Sequence, residues 1–114
     1  MAKLSPATIS TILTLQQRLL GILDEAVATA YLILDRYGET EAAIAEFDRL
    51  QNVRERVETY YSRFHTLLLR IAESYPVAPS AVLELLNRSL EEASATANAS
   101  EATIREAKQD WNLL

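Results

Sequence analysis

The sequence predicts an all-α chain, folded as an antiparallel up-down-up bundle of three long helices with coiled-coil-like seams. Two observations carry that expectation. Apolar residues recur at three- and four-residue spacing along nearly all of the 114 residues. Breaking signals inside the chain gather at two short stretches, "RYGET" and "YPVAPS". The segments between them run to about 30 residues each, and tight turns fold such helices back antiparallel.

The first helix is expected over residues 6–37. Ser5 supplies an N-cap and Pro6 fits the first turn, where a missing N–H costs nothing. Its apolar series includes Ile9, Ile12, Leu13, Leu19, Leu20, Leu23, Ala26, Val27, Ala30, Ile33 and Leu34. Gly38 stops it, being free to adopt positive φ. The second helix is expected over residues 41–75, capped by Thr40. Its seam is assigned to Ala43, Phe47, Leu50, Arg54, Val57, Tyr61, Phe64, Leu68, Ile71 and Tyr75, and Pro76 ends it. The third helix is expected over residues 79–112, opened by Pro79.

The third helix is unusual because "LEEASATANASEATIREAKQDW" holds, over most of its length, no apolar side chain larger than a methyl. Antiparallel pairing about the second turn explains this. It sets Tyr61 against Ala93, Val57 against Ala97, Arg54 against Ser100, Phe47 against Ala107 and Ala43 against Trp111. Large faces small, as close packing requires. The alanines are therefore expected in the core, and Trp111 is expected to dock near Ala43 and Leu34.

Composition bounds the class. One domain, residues 1–114, holds 49% hydrophobic residues, no cysteine and a net charge of −5. The N-terminal stretch has no uninterrupted apolar core, so neither a signal peptide nor a membrane span is expected, and the location expected is cytoplasmic. The acidic balance disfavours nucleic acid as a partner. No Gly-rich phosphate loop, nucleophile–His–acid set or HExxH pair is present, and the single His65 lacks ligand neighbours at helical spacing. The chain is therefore expected to be no enzyme and to hold no cofactor or metal.

What remains is a non-enzymatic protein–protein interaction module: an adaptor, an assembly factor or a chaperone-like bundle. Leu15, Ile22, Tyr60 and Leu67 fall off the assigned seams and are the candidate interaction patch, whose simplest use is a homodimer, with a protein partner as the other occupant. Arg49, Arg56, Arg63 and Arg70 recur every seven residues. Arg70 and Arg63 are expected to pair with Glu84 and Glu91, leaving Arg49 and Arg56, with Arg105, as a candidate contact for an acidic partner. Arg54, at a seam position, is expected to snorkel or to reach Asp24, and Gln16 to bond Tyr61. The alternative function is a small-molecule or pigment-binding bundle with a polar pocket around Arg54, Tyr61 and His65. In general form the chain resembles spectrin-type repeats, three-helix units of similar length. Their Trp lies in the first helix, however, whereas Trp111 closes the last, so no family is assigned.

Overall fold

The computed structural model describes residues 4–114 and consists of α1 (Pro6–Tyr37), α2 (Glu41–Glu73) and α3 (Ser80–Asp110). Each helix packs on the other two, giving a rod of 57 × 20 × 18 Å. The described residues contain no strand, and no helix among them is long and apolar enough to cross a membrane.

The helix ends follow local chemistry. Ser5 Oγ accepts the Thr8 N–H at 3.1 Å, with Pro6 in the first turn. Gly38 adopts φ 73° and returns its N–H to the Leu34 carbonyl at 3.0 Å. Thr40 Oγ1 accepts the Ala43 N–H at 3.1 Å, opening α2. α2 ends at Glu73, with Ser74 already extended, because Pro76 disfavours helical geometry at Tyr75. Tyr75, expected in the seam, is left exposed beyond the helix end. Pro79 occupies the cap position of α3.

The core is a heptad seam on each helix. α1 buries Ile12, Leu15, Leu19, Ile22, Ala26, Thr29 and Ile33. α2 buries Ala43, Glu46, Leu50, Val53, Val57, Phe64, Leu67 and Ile71, with Tyr60 half-buried in the same series. α3 buries Val82, Leu86, Ser89, Ala93, Ala97, Ser100, Ile104 and Ala107. The antiparallel hairpin about Gly38 therefore sets Ile33 level with Ala43, Ala26 with Leu50 and Ile12 with Phe64. The register of α2 with α3 is pinned by Tyr60 Oη donating to Glu92 at 3.1 Å and Trp111 Nε1 donating to Glu46 at 3.1 Å. The small residues of α3 are in the core, as the packing argument required. Ala93, Ala97 and Ala107 have no exposed surface.

On α1 the expected Ile12, Leu19, Ala26 and Ile33 are buried, and on α2 the expected Ala43, Leu50, Val57, Phe64 and Ile71, but the rest of each seam lies on the other side of these residues from the one expected. On α2 the expected Phe47, Arg54, Tyr61 and Leu68 are half-buried at the edge, and Glu46, Val53, Tyr60 and Leu67 take their places inside. On α1 the expected Ile9, Leu13, Leu20, Val27 and Leu34 are exposed. Leu15, Ile22 and Leu67 are thus core residues and Tyr60 packs against them, so the patch expected to carry a homodimer is not on the surface. The physical reason lies in Arg54. The expected rotation would bury a guanidinium at mid-helix, whereas the observed one puts Val53 there and leaves Arg54 at the rim.

The polar groups that are buried are unevenly satisfied. Thr29 Oγ1 donates to the Glu25 carbonyl at 2.7 Å, but Ser89 Oγ and Ser100 Oγ have no partner among the described residues. Glu46, 7% exposed, accepts from Arg49 Nε at 2.6 Å, from Arg49 Nη2 at 3.0 Å and from Trp111 Nε1. Trp111 is half-buried beside Tyr37, with ring centroids 5.2 Å apart, rather than fully sunk near Leu34.

Two outcomes follow for chemical denaturation. Ala93→Leu and Ala107→Leu each lower stability by about 1–3 kcal/mol through overpacking, although leucine favours helix. Ser100→Ala raises it by about 1 kcal/mol, because a desolvated hydroxyl without a partner is removed.

Candidate functional site

α3 is locked to both neighbours by charge. Arg18 of α1 donates to Glu101 of α3 through Nε at 3.1 Å and Nη2 at 2.5 Å, and to Asn98 at 2.6 Å. Lys108 donates to Glu25 at 3.2 Å. Arg49 of α2 approaches Glu106 at 3.9 Å and Asp110 at 4.0 Å. Hydrogen bonding from Arg18 holds the Glu101 carboxyl below its ordinary range. Burial opposes this, and the charges of Arg18 and Arg105 add to it. The same hydrogen bond raises the Arg18 guanidinium.

No ion pair among the described residues joins α1 to α2, and there the surface is of a different kind. Ile9, Leu13, Leu20, Val27, Tyr31 and Leu34 form an exposed apolar stripe along α1, with Leu13 54% and Tyr31 65% exposed. Gln16, Leu23 and Ala30 continue its heptad spacing toward α2 and are half-buried. The stripe therefore borders a groove whose other wall is Phe47, Arg54, Tyr61 and Leu68, all half-buried. Ile44 and Leu69 are exposed on α2 beside it. Over residues 4–17 α1 carries no charge at all.

This arrangement separates the residues expected to act together. A pocket of about 70 Å³ opens in the groove between Leu19, Leu20, Leu23, Val57, Glu58 and Tyr61, with neither Arg54 nor His65 in its lining. Small-molecule sites occupy roughly 300–1,000 Å³, so this pocket is smaller than such a site. Arg54 donates to Gln51 at 3.0 Å rather than to Asp24, and its Nε is buried without a partner. His65 is exposed on α2, and no Gln16–Tyr61 bond occurs among the described residues. A larger groove of about 560 Å³ runs between α1 and α3 past Gly21, Ile22 and Ile104. Of the charges along it, Arg18 pairs with Glu101 and Lys108 with Glu25, while Arg105 has no ion pair among the described residues.

The residues of the candidate basic contact stand in different surroundings. Arg49 is engaged by Glu46, Glu106 and Asp110, Arg105 lines the α1–α3 groove, and Arg56 stands exposed on α2. Arg63 lies over the Tyr60 ring at 5.1 Å, and no Arg63–Glu91 or Arg70–Glu84 ion pair is present among the described residues. Among those residues no group of three His, Cys, Asp or Glu side chains is placed to hold a metal ion.

No protein-family model, curated protein or solved structure matches the chain. The functional reading consequently rests on the surface itself, and the exposed stripe was present in the sequence as the apolar residues assigned to the α1 seam.

The Arg18–Glu101 pair sets a pH expectation. Because the folded-state pKa of Glu101 is lowered, its contribution is present above the ordinary glutamate pKa and lost as pH falls through the lowered value. Both side chains are more than a third exposed, so the contribution is about 0–1 kcal/mol. Thermal midpoints of the parent and of Glu101→Gln should differ slightly at neutral pH and converge in acid.

Proposed function

We propose that this chain is a non-enzymatic protein–protein interaction module that docks a partner on the outer face of α1 and the groove it forms with α2. The observation that carries this reading is the exposed stripe of Ile9, Leu13, Leu20, Val27, Tyr31 and Leu34. Scattered surface leucines need no explanation, but six large apolar side chains aligned on one helix leave a contiguous patch in water. Their heptad spacing is that of a helix seam without its partner. A helix laid in the groove would turn three helices into four and cover the half-buried Leu23, Phe47 and Tyr61 as well. A second copy of the chain is the other reading of the same face, favoured by the uncharged run over residues 4–17, where two copies meet without repulsion.

The test substitutes exposed residues only. Leu13→Glu with Leu20→Glu should leave helix content and thermal midpoint within a small margin of the parent, because neither side chain is in the core. A partner captured from the native host by the parent should be absent with the double variant, as identified by mass spectrometry. Capture of the same proteins by both would remove this face as the docking surface. Light scattering at micromolar concentration examines the second-copy reading: a dimer that the double variant dissociates would support it.

A further inference from the structure

From the charges around the α1–α2 groove, we infer that its occupant is an amphipathic helix of another protein with basic residues flanking its apolar stripe. The inference rests on the docking reading above and names the chemistry of the partner. Asp24 lies one turn beyond Leu20 on the exposed side of α1, and Glu58 lines the pocket beside Leu20 and Tyr61. Farther out on α2, Glu41, Asp48 and Glu55 recur every seven residues and are exposed, and Asp35 is exposed beside Leu34. None of these carboxylates has an ion-pair partner among the described residues. The cation within the groove, Arg54, is held at its edge by Gln51, which itself donates to Glu55 at 3.3 Å.

Where α3 meets α1 and α2, Arg18, Lys108 and Arg49 each face a carboxylate across the interface. On the α1–α2 face the acids outnumber the bases, and the cation there, Arg54, bonds Gln51 rather than a carboxylate. An apolar seam flanked by charges of one sign is complementary to a seam flanked by the other. A second copy is a poorer fit. Pairing α1 with its own copy brings another Asp24 and Asp35 toward Glu58 and Glu55, so that carboxylate faces carboxylate, and repulsion of that kind selects against a partner.

Two synthetic helical peptides of about four heptads test this. Both carry Leu at the seam positions, with Lys at the flanking positions of one and Glu at those of the other. Fluorescence anisotropy of labelled peptide follows titration with the full chain. The Lys-flanked peptide should bind about ten-fold tighter or more and lose that advantage in added salt. Asp24→Asn with Glu58→Gln should shrink the preference without changing the fold, as read by circular dichroism. Leu20→Glu with Val27→Glu makes the face more acidic yet should abolish binding. Binding that survives this pair is general attraction to an acidic protein and overturns the inference. Equal binding of both peptides overturns the charge inference while leaving the docking reading in place. Binding of neither by a monomeric chain removes both. A dimer that Leu20→Glu with Val27→Glu dissociates assigns the groove to a second copy and overturns the inference.

Discussion

The constraint on which the rest of the structure depends is that α1 carries two apolar seams and a three-helix bundle buries only one. Ile12, Leu15, Leu19, Ile22, Ala26, Thr29 and Ile33 form the first. Leu13, Gln16, Leu20, Leu23, Val27, Ala30 and Leu34 form the second, offset by one residue throughout. The two are close in apolar content, so hydrophobic burial on α1 alone barely separates them. The decision is made on α2. A face of α2 centred on Phe47, Arg54 and Tyr61 would place Arg54 in the core, and a buried guanidinium there costs several kcal/mol unless it is paired. The observed rotation buries Glu46 instead, near the helix end, where Arg49 and Trp111 supply three hydrogen bonds. Glu46 is thereby satisfied, and Arg54 stays at the edge, where it bonds Gln51 while its Nε has no partner among the described residues.

This also explains which parts of the fold were legible in the sequence. Ser5, Pro6, Gly38 and Thr40 fix helix ends through bonds made within one turn, so their roles follow from residue type alone. The inward alanines of α3 were legible because α3 has a single face of consistently small residues, and their placement needs only the antiparallel register. On α1 the sequence marks Ile12, Leu19, Ala26 and Ile33 for the core but does not choose between Leu15 and Ile22 on one side of them and Leu13 and Leu20 on the other, because both sides satisfy the same periodic pattern. The seam assigned to α2 was half right for a related reason. Ala43, Leu50, Val57, Phe64 and Ile71 belong to both possible seams, and the choice between Val53 and Arg54 rests on desolvation, which a hydrophobic pattern does not measure.

The candidate site inherits that ambiguity. Leu15, Ile22 and Leu67 looked surplus only because the other seam had been turned inward. Once the rotation is corrected the surplus does not vanish; it moves to Leu13, Leu20, Val27 and Leu34. Excess apolar surface on α1 is thus a property of the composition, and the rotation decides only which residues display it. Charge distribution was harder to read. The seven-residue series of Glu41, Asp48 and Glu55 and that of Arg49, Arg56, Arg63 and Arg70 run side by side on α2, and the side facing α3 is set by the same rotation.

The two seams give the docking face an energetic meaning beyond its area. A helix able to bury either face keeps a competing arrangement within reach, and the gap between the two is set mainly by polar groups such as Arg54, Glu46 and the unpartnered Ser100. A partner that binds the outer seam recognises only the arrangement in which that seam is outside. It therefore adds its binding free energy to the native rotation and to no other, in proportion to the logarithm of its concentration over its dissociation constant.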